Sequence, residues 1–186
     1  MGKITKYNFQ KIWSISSKNL ENRIKNYDYR FCQIIPMEWQ LILINDGSFT
    51  QNLISLTGKN ILLHIAFGST YKTLDYNKYI RGVWLQDNNS NSSYLTFARS
   101  SWPTYISNQN NLPKYLYKPI GQSLVESRTD IYKDIHEIYY GYCINIEDKL
   151  KIKGPIWGRK YTIYYNNKPL ATIEEIFSSK IKDFFI

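Results

Sequence analysis

A chain of 186 residues and 22.1 kDa, 43% hydrophobic and 16% aromatic, is long enough for one domain with a proper core and too apolar for disorder. Its net charge of +9 comes from lysines and arginines scattered among acids, from Lys3, Lys6 and Lys11 to Lys153 and Lys160, which reads as a solvated surface attractive to anions and not as a nucleic-acid face. Apolar runs such as residues 61–67 fall far short of a membrane span and the N-terminus lacks the apolar core of a signal peptide, so neither insertion nor secretion is expected.

Residues 1–35 are polar, with Tyr and Asn throughout, and read as an N-terminal extension carrying a short helix over 17–27; residues 36–186 read as the domain itself. Pro36 opens a predicted helix over 38–44 that stops at Asn45-Asp46-Gly47. Ser48 and Gln51 then have capping-box spacing, so a second helix starts there and ends near Gly58, and two helices with so tight a joint predict a lid-like unit. Residues 61–67 form a strand candidate, and 79–86 with 94–100 predict a hairpin across 88–93. Residues 112–126 have helical spacing around Pro119, after which 130–142 and 157–176 supply further strands. The loops at 87–93 and 108–111 read as surface turns. The outline is α+β, a single antiparallel sheet of about six strands with helices on one face.

The last predicted strands carry the most chemistry. Asn166-Asn167-Lys168 supplies turn residues between two β-branched and aromatic runs, and Glu174-Glu175 stands between Ile173 and Ile176. Alternation sends these two carboxylates to opposite faces, and one that turns inward must be buried with a partner. Cys32 and Cys143 lack the number and spacing of a disulfide framework or a metal site and read as ordinary thiols; His64 and His136 have no nearby nucleophile partner. No phosphate loop or HExxH motif is present, which counts against nucleotide and zinc chemistry.

Five pieces in order, Asp46-Gly47-Ser48-Phe49-Thr50, Ile80-Arg81-Gly82-Val83-Trp84-Leu85, Phe97-Ala98-Arg99-Ser100-Ser101-Trp102-Pro103, Pro119-Ile120-Gly121-Gln122-Ser123-Leu124, and Trp157-Gly158-Arg159-Lys160 with its following hairpin, resemble the chorismate pyruvate-lyase family. The resemblance runs from about residue 36 to 177. With Trp39-Gln40-Leu41-Ile42-Leu43 ahead of the first piece, it is similar to the divergent branch found in cyanobacteria and algal plastid genomes.

That resemblance implies a sheet with helical flaps over a buried ligand pocket, and an enzyme that converts chorismate to 4-hydroxybenzoate and pyruvate for plastoquinone synthesis. Loss of the C4 hydrogen and the C3 ether makes the ring aromatic, so no metal or other cofactor is implied. The protein has to hold two carboxylates and stabilise moving charge. Arg81 matches the arginine that grips the aromatic product, and Glu175 the strand glutamate that meets the 4-hydroxyl or moves a proton; these are the implied catalytic pair. Phe49 and Ile120 match positions of main-chain contact and apolar wall around the ring, and Arg99 and Arg159 are secondary candidates for the second carboxylate or the path into the site. Gly82 stands where the bacterial enzymes commonly carry an acid. A monomer in the plastid stroma, or in the cytoplasm of a cyanobacterium, with no nucleic-acid or membrane partner, completes the expectation. The alternative is a non-catalytic sensor, since the same fold serves as the effector domain of bacterial regulators; its usual helix-turn-helix companion does not fit in residues 1–35.

Overall fold

The structure, a computed structural model, describes residues 7–16, 33–72, 77–88, 93–103, 118–126 and 130–185. The expected helix over 17–27, the turn at 108–111 and the first part of the helical stretch before residue 118 lie outside them.

Seven antiparallel strands form one sheet: β1 Gln10–Ser16, β2 Ile61–Lys72, β3 Asn77–Asp87, β4 Thr96–Pro103, β5 Ile131–Tyr142, β6 Ile156–Tyr165 and β7 Lys168–Phe177. Their order across the sheet is β1-β5-β6-β7-β4-β3-β2. The two expected hairpins are present, β3 with β4 and β6 with β7. The second turns at Asn166 and Asn167, whose φ values of 48° and 59° are the left-handed pair a two-residue primed turn requires and Asn tolerates.

The seventh strand is β1, which the sequence places in an extension. It pairs with β5 from Gln10↔Tyr142 to Ser16↔Glu137 and sends Ile15 into the core, so part of the first 35 residues belongs to the sheet. A strand with five of seven residues exposed has little hydrophobic alternation to betray it.

One face of the sheet is covered by α1 Met37–Leu43, α2 Phe49–Thr57, α3 Ile120–Glu126 and a 3₁₀ turn, Ser179–Phe184. The other face is not bare. The short helix α4, Ile144–Leu150, packs Ile146 and Leu150 with Cys143 against Trp84, Phe97, Tyr139 and Ile176. The α2 boundaries follow the sequence signals: the Ser48 hydroxyl accepts from the Gln51 N–H at 3.5 Å, and Gly58 closes the helix in the left-handed conformation, φ 64°.

The helical pair α1–α2 covers the sheet as expected but is wedged too deeply to swing as a unit. Trp39, Ile42, Leu43, Phe49 and Leu53 all sit in the main core cluster with Leu85, Ile138 and Phe177. At about 1.5–3 kcal/mol for each buried side chain, lifting all five out would cost roughly 7–15 kcal/mol, comparable to the whole stability of a domain. Any opening on ligand binding is therefore expected to be local and not a swing of the whole pair. With 4-hydroxybenzoate, the product that the resemblance implies, at saturation, hydrogen exchange is expected to change at residues 45–50 and not across 36–58; uniform protection of both helices would restore the swinging lid.

Candidate active site

The side chains that alternate onto the helix-covered face enclose a cavity of about 230 Å³ between the sheet and the starts of α2 and α3. Its floor is Val83 and Leu85 from β3, Ala98 and Ser100 from β4, Ile173 from β7 and Ile163 from β6, and its roof is residues 46–50 with 119–121. An enclosure of this size, apolar with a few convergent polar groups, suits a single-ring ligand. Gly121 makes it possible. A Cβ there would come within 2.6 Å of Ser48 Oγ and 3.2 Å of its Cα, so the glycine lets α3 approach the cap of α2.

Four charged residues line this cavity among the described residues: Asp46, Arg81, Lys133 and Glu175. Glu175, 6% exposed, points inward and Glu174 outward, where it accepts from the Tyr139 hydroxyl at 2.9 Å. The Glu175 carboxylate is fixed at both oxygens. Oε2 accepts from Arg159 Nε at 2.8 Å and Oε1 from the Tyr161 hydroxyl at 3.0 Å.

Arg159, fully buried, lies directly across from Glu175 in the β6–β7 register. Its Nη1 donates to the carbonyls of Ile42 and Leu43 at 2.8 and 3.2 Å, acceptors that the end of α1 leaves without helical partners, and to that of Asn45 in the joint at 3.1 Å. A guanidinium at a helix C-terminus is also favourably placed in the helix dipole. Arg159 does not line the cavity; it ties α1 to the carboxylate that does.

Arg81, 2% exposed, enters from β3. Its Nη1 donates to the Lys118 carbonyl at 3.2 Å, and its guanidinium lies over the Trp102 ring at 5.2 Å. Burial pulls its pKa down to about 10, with Tyr79 opposing, so the group stays charged at neutral pH. Arg81 and Glu175 do not sit side by side. Arg81 is in register with Ser100 and Ile173, whereas Glu175 is in register with Ala98. Two strand spacings and a two-residue offset put their Cα atoms roughly 12 Å apart, with both side chains on the cavity side of the sheet. A side chain at Gly82 would point away from Arg81 and into the Phe67 ring, 2.4 Å from its Cβ, so this strand has no room for an acid there.

Phe49 and Ile120 are the first residues of α2 and α3 and both line the cavity, so their N–H groups have no partner within their helices. Arg99 does not join them. It lies on the opposite face, opposite Glu174, in an open groove of about 400 Å³ shared with Lys160 and Lys78.

Lys133 and Tyr161 are the residues that sequence reasoning missed. Tyr161 bridges the cavity to Glu175, and burial beside that carboxylate holds its hydroxyl protonated, the pKa raised well above the usual value. Lys133 in Tyr132-Lys133-Asp134 has the look of a solvated charge run. The β-bulge between Ile135 and Glu137 hides the alternation that would have turned it inward, since residues 131, 133 and 135 before the bulge share a face with 138 after it.

Known proteins of similar shape include the effector domain of PhnF from Mycobacterium smegmatis, with a TM-score of 0.57 at 8% identity over 74% of this chain and 92% of that one, and a possible transcriptional regulator, YydK, from Bacillus subtilis, with 0.54 at 12% over 66% and 60%. At such identities the likeness is one of fold. In sequence, the ycf21 protein of Antithamnion sp. is 40% identical over 156 residues, 82% of this chain and 84% of its own. That of Porphyra purpurea is 36% identical over 181 residues, 96% and 98%. A family match spans residues 43–185, from the end of α1 through the 3₁₀ turn, and so takes in every residue that lines the cavity. The chain belongs to the chorismate pyruvate-lyase Rv2949c-like family.

Proposed function

We propose that this protein is a chorismate lyase, converting chorismate to 4-hydroxybenzoate and pyruvate as a ring precursor of plastoquinone, in the plastid stroma or in the cytoplasm of a cyanobacterium. The observation that carries the reading is an apolar cavity lined by both a buried arginine and a buried, doubly hydrogen-bonded glutamate. Arg81 takes the ring carboxylate, for which a guanidinium is suited because it donates two parallel hydrogen bonds and remains charged when buried. Phe49 contributes its main-chain N–H and Ile120 an apolar wall, and Glu175 meets the C4 hydroxyl. In the reaction the C3–O bond breaks with its electron pair going to oxygen. The C4 hydrogen ends on the departing enolpyruvyl group, which becomes pyruvate, and the ring becomes aromatic. Glu175 holds the C4 hydroxyl in place and stabilises the polarity of that step.

Purified protein incubated with chorismate is expected to release 4-hydroxybenzoate and pyruvate in equal amounts, followed by absorbance and mass. Tight binding of 4-hydroxybenzoate without any turnover would instead favour a sensor, the reading that the likeness to regulator effector domains supports. Arg81→Ala is expected to weaken 4-hydroxybenzoate binding by about 1.5–3 kcal/mol or more while the protein stays folded. Near-wild-type affinity in calorimetry would remove Arg81 from the site.

A further inference from the structure

Chorismate is a dianion, and Arg81 accounts for one carboxylate only. Neither secondary candidate lines the cavity: Arg99 faces the opposite side of the sheet, and Arg159 is fully buried, its Nε and Nη1 engaged and its Nη2 enclosed without a hydrogen-bond partner. Among the described residues, the cations that line the cavity are Arg81 and Lys133. Lys133 projects from β5, at the far wall from β3, and its Nζ donates to the carbonyls of Asn45 at 3.2 Å and Gly47 at 2.8 Å. It also lies over the Tyr161 ring, 4.7 Å from the centroid. An ammonium has three donors. Two hold the joint between α1 and α2, which leaves a third for an anion in the cavity.

We propose that Lys133 takes the enolpyruvyl carboxylate, so that the substrate is held between Arg81 on β3 and Lys133 on β5. The inference rests on the lyase reading. It explains why the joint of the covering helices carries two carbonyls aimed at one lysine: the same ammonium that fixes the roof binds the part of the substrate that departs, and its bond is made to chorismate and to pyruvate but not to 4-hydroxybenzoate. Arg81 is the cation common to substrate and ring product, whereas Lys133 discriminates between them. The groups facing Lys133 are Arg159 on β6, Glu175 on β7, Asp46 on the joint and Tyr161 beneath it. Burial, and then Arg159, lower its pKa to about 8 against the opposing pull of Glu175 and Asp46, so the charge is present at neutral pH and within reach of titration.

The test uses two unreactive ring acids, 3-(1-carboxyvinyloxy)benzoate with both carboxylates and 3-methoxybenzoate with the ring carboxylate alone, measured by calorimetry on wild type, Lys133→Gln and Lys133→Arg. Lys133→Gln is expected to weaken the dicarboxylate about tenfold or more and the monocarboxylate by about twofold or less, with Lys133→Arg restoring most of the difference. Equal losses for the two ligands would mean that Lys133 only braces the roof and would overturn the proposal. In wild type the ratio of the two affinities is expected to fall at alkaline pH as Lys133 loses its charge. Selective binding of the dicarboxylate through Lys133 with no turnover of chorismate would remove the lyase reading and leave this site standing. Turnover with equal losses would do the reverse.

Discussion

Arg159→Met is expected to destabilise the protein by about 3–5 kcal/mol, which for a chain of this length is a fall in Tm of roughly 6–20 °C. The substitution fills much of the same volume but leaves the Glu175 carboxylate buried with the Tyr161 hydroxyl as its remaining partner. It also strips the donor from two carbonyls at the end of α1 and from that of Asn45 in the joint. Breaking one side of a buried pair is costly because the other charge cannot return to water. The double variant Arg159→Met, Glu175→Gln is accordingly expected to lose less than the sum of the two single losses. Thermal unfolding of the four proteins measures this. Additive losses, or an Arg159→Met protein within about 1 kcal/mol of wild type, would show that the pair does not hold the site together.

Glu175→Gln is expected to reduce chorismate turnover by about 10²–10⁴, while 4-hydroxybenzoate affinity falls far less. Gln keeps the shape, and its amide oxygen can accept from Arg159 Nε while its NH2 donates to the Tyr161 oxygen, but it lacks the charge. The stability cost should be smaller than for Arg159→Met, since the guanidinium keeps its carbonyl acceptors on α1 and the joint. Assays therefore belong at a temperature where circular dichroism shows both proteins folded. Glu174→Gln is expected to be nearly silent, because its carboxylate lies on the other face and an amide oxygen still accepts from Tyr139. A large loss at Glu174 with a mild one at Glu175 would put the chemistry on the wrong side of the sheet. Full activity in both would leave positioning by Arg81 to carry the reaction.

What could be read in the sequence was local. The Ser48–Gln51 spacing and Gly58 delimit α2 because caps are short-range chemistry, and the paired asparagines of the last hairpin fix a turn for the same reason. Strand alternation then separates Glu174 from Glu175 with no knowledge of the rest of the fold. What escaped depends on distance or on a break in period. The carbonyls that receive Arg159 lie 114 to 117 residues earlier in the chain, so nothing near Gly158-Arg159-Lys160 distinguishes a buried tie from a surface arginine. Lys133 is obscured by a bulge, β1 by its exposure at the sheet edge, and α4 by a length of seven residues, too short for a helical period to declare itself.

The same dependence on long-range contacts explains why the cavity sits where it does. The covering helices are anchored from below by two cations of neighbouring strands, Arg159 on β6 and Lys133 on β5, and both meet the joint between α1 and α2. The joint carries the start of α2 and hence Phe49 over the cavity. A carboxylate that pairs with one of these cations and lines the cavity, Glu175, is thereby held by the scaffold and not by a loop.

The most direct test is a crystal structure of the protein with 4-hydroxybenzoate bound. The carboxylate is expected on the Arg81 guanidinium and the hydroxyl on Glu175, with the ring between Val83 and Ile173 on the sheet and residues 49 and 120 above. A ring bound instead in the groove beside Arg99, or lying in the cavity with its carboxylate away from Arg81, would contradict the account.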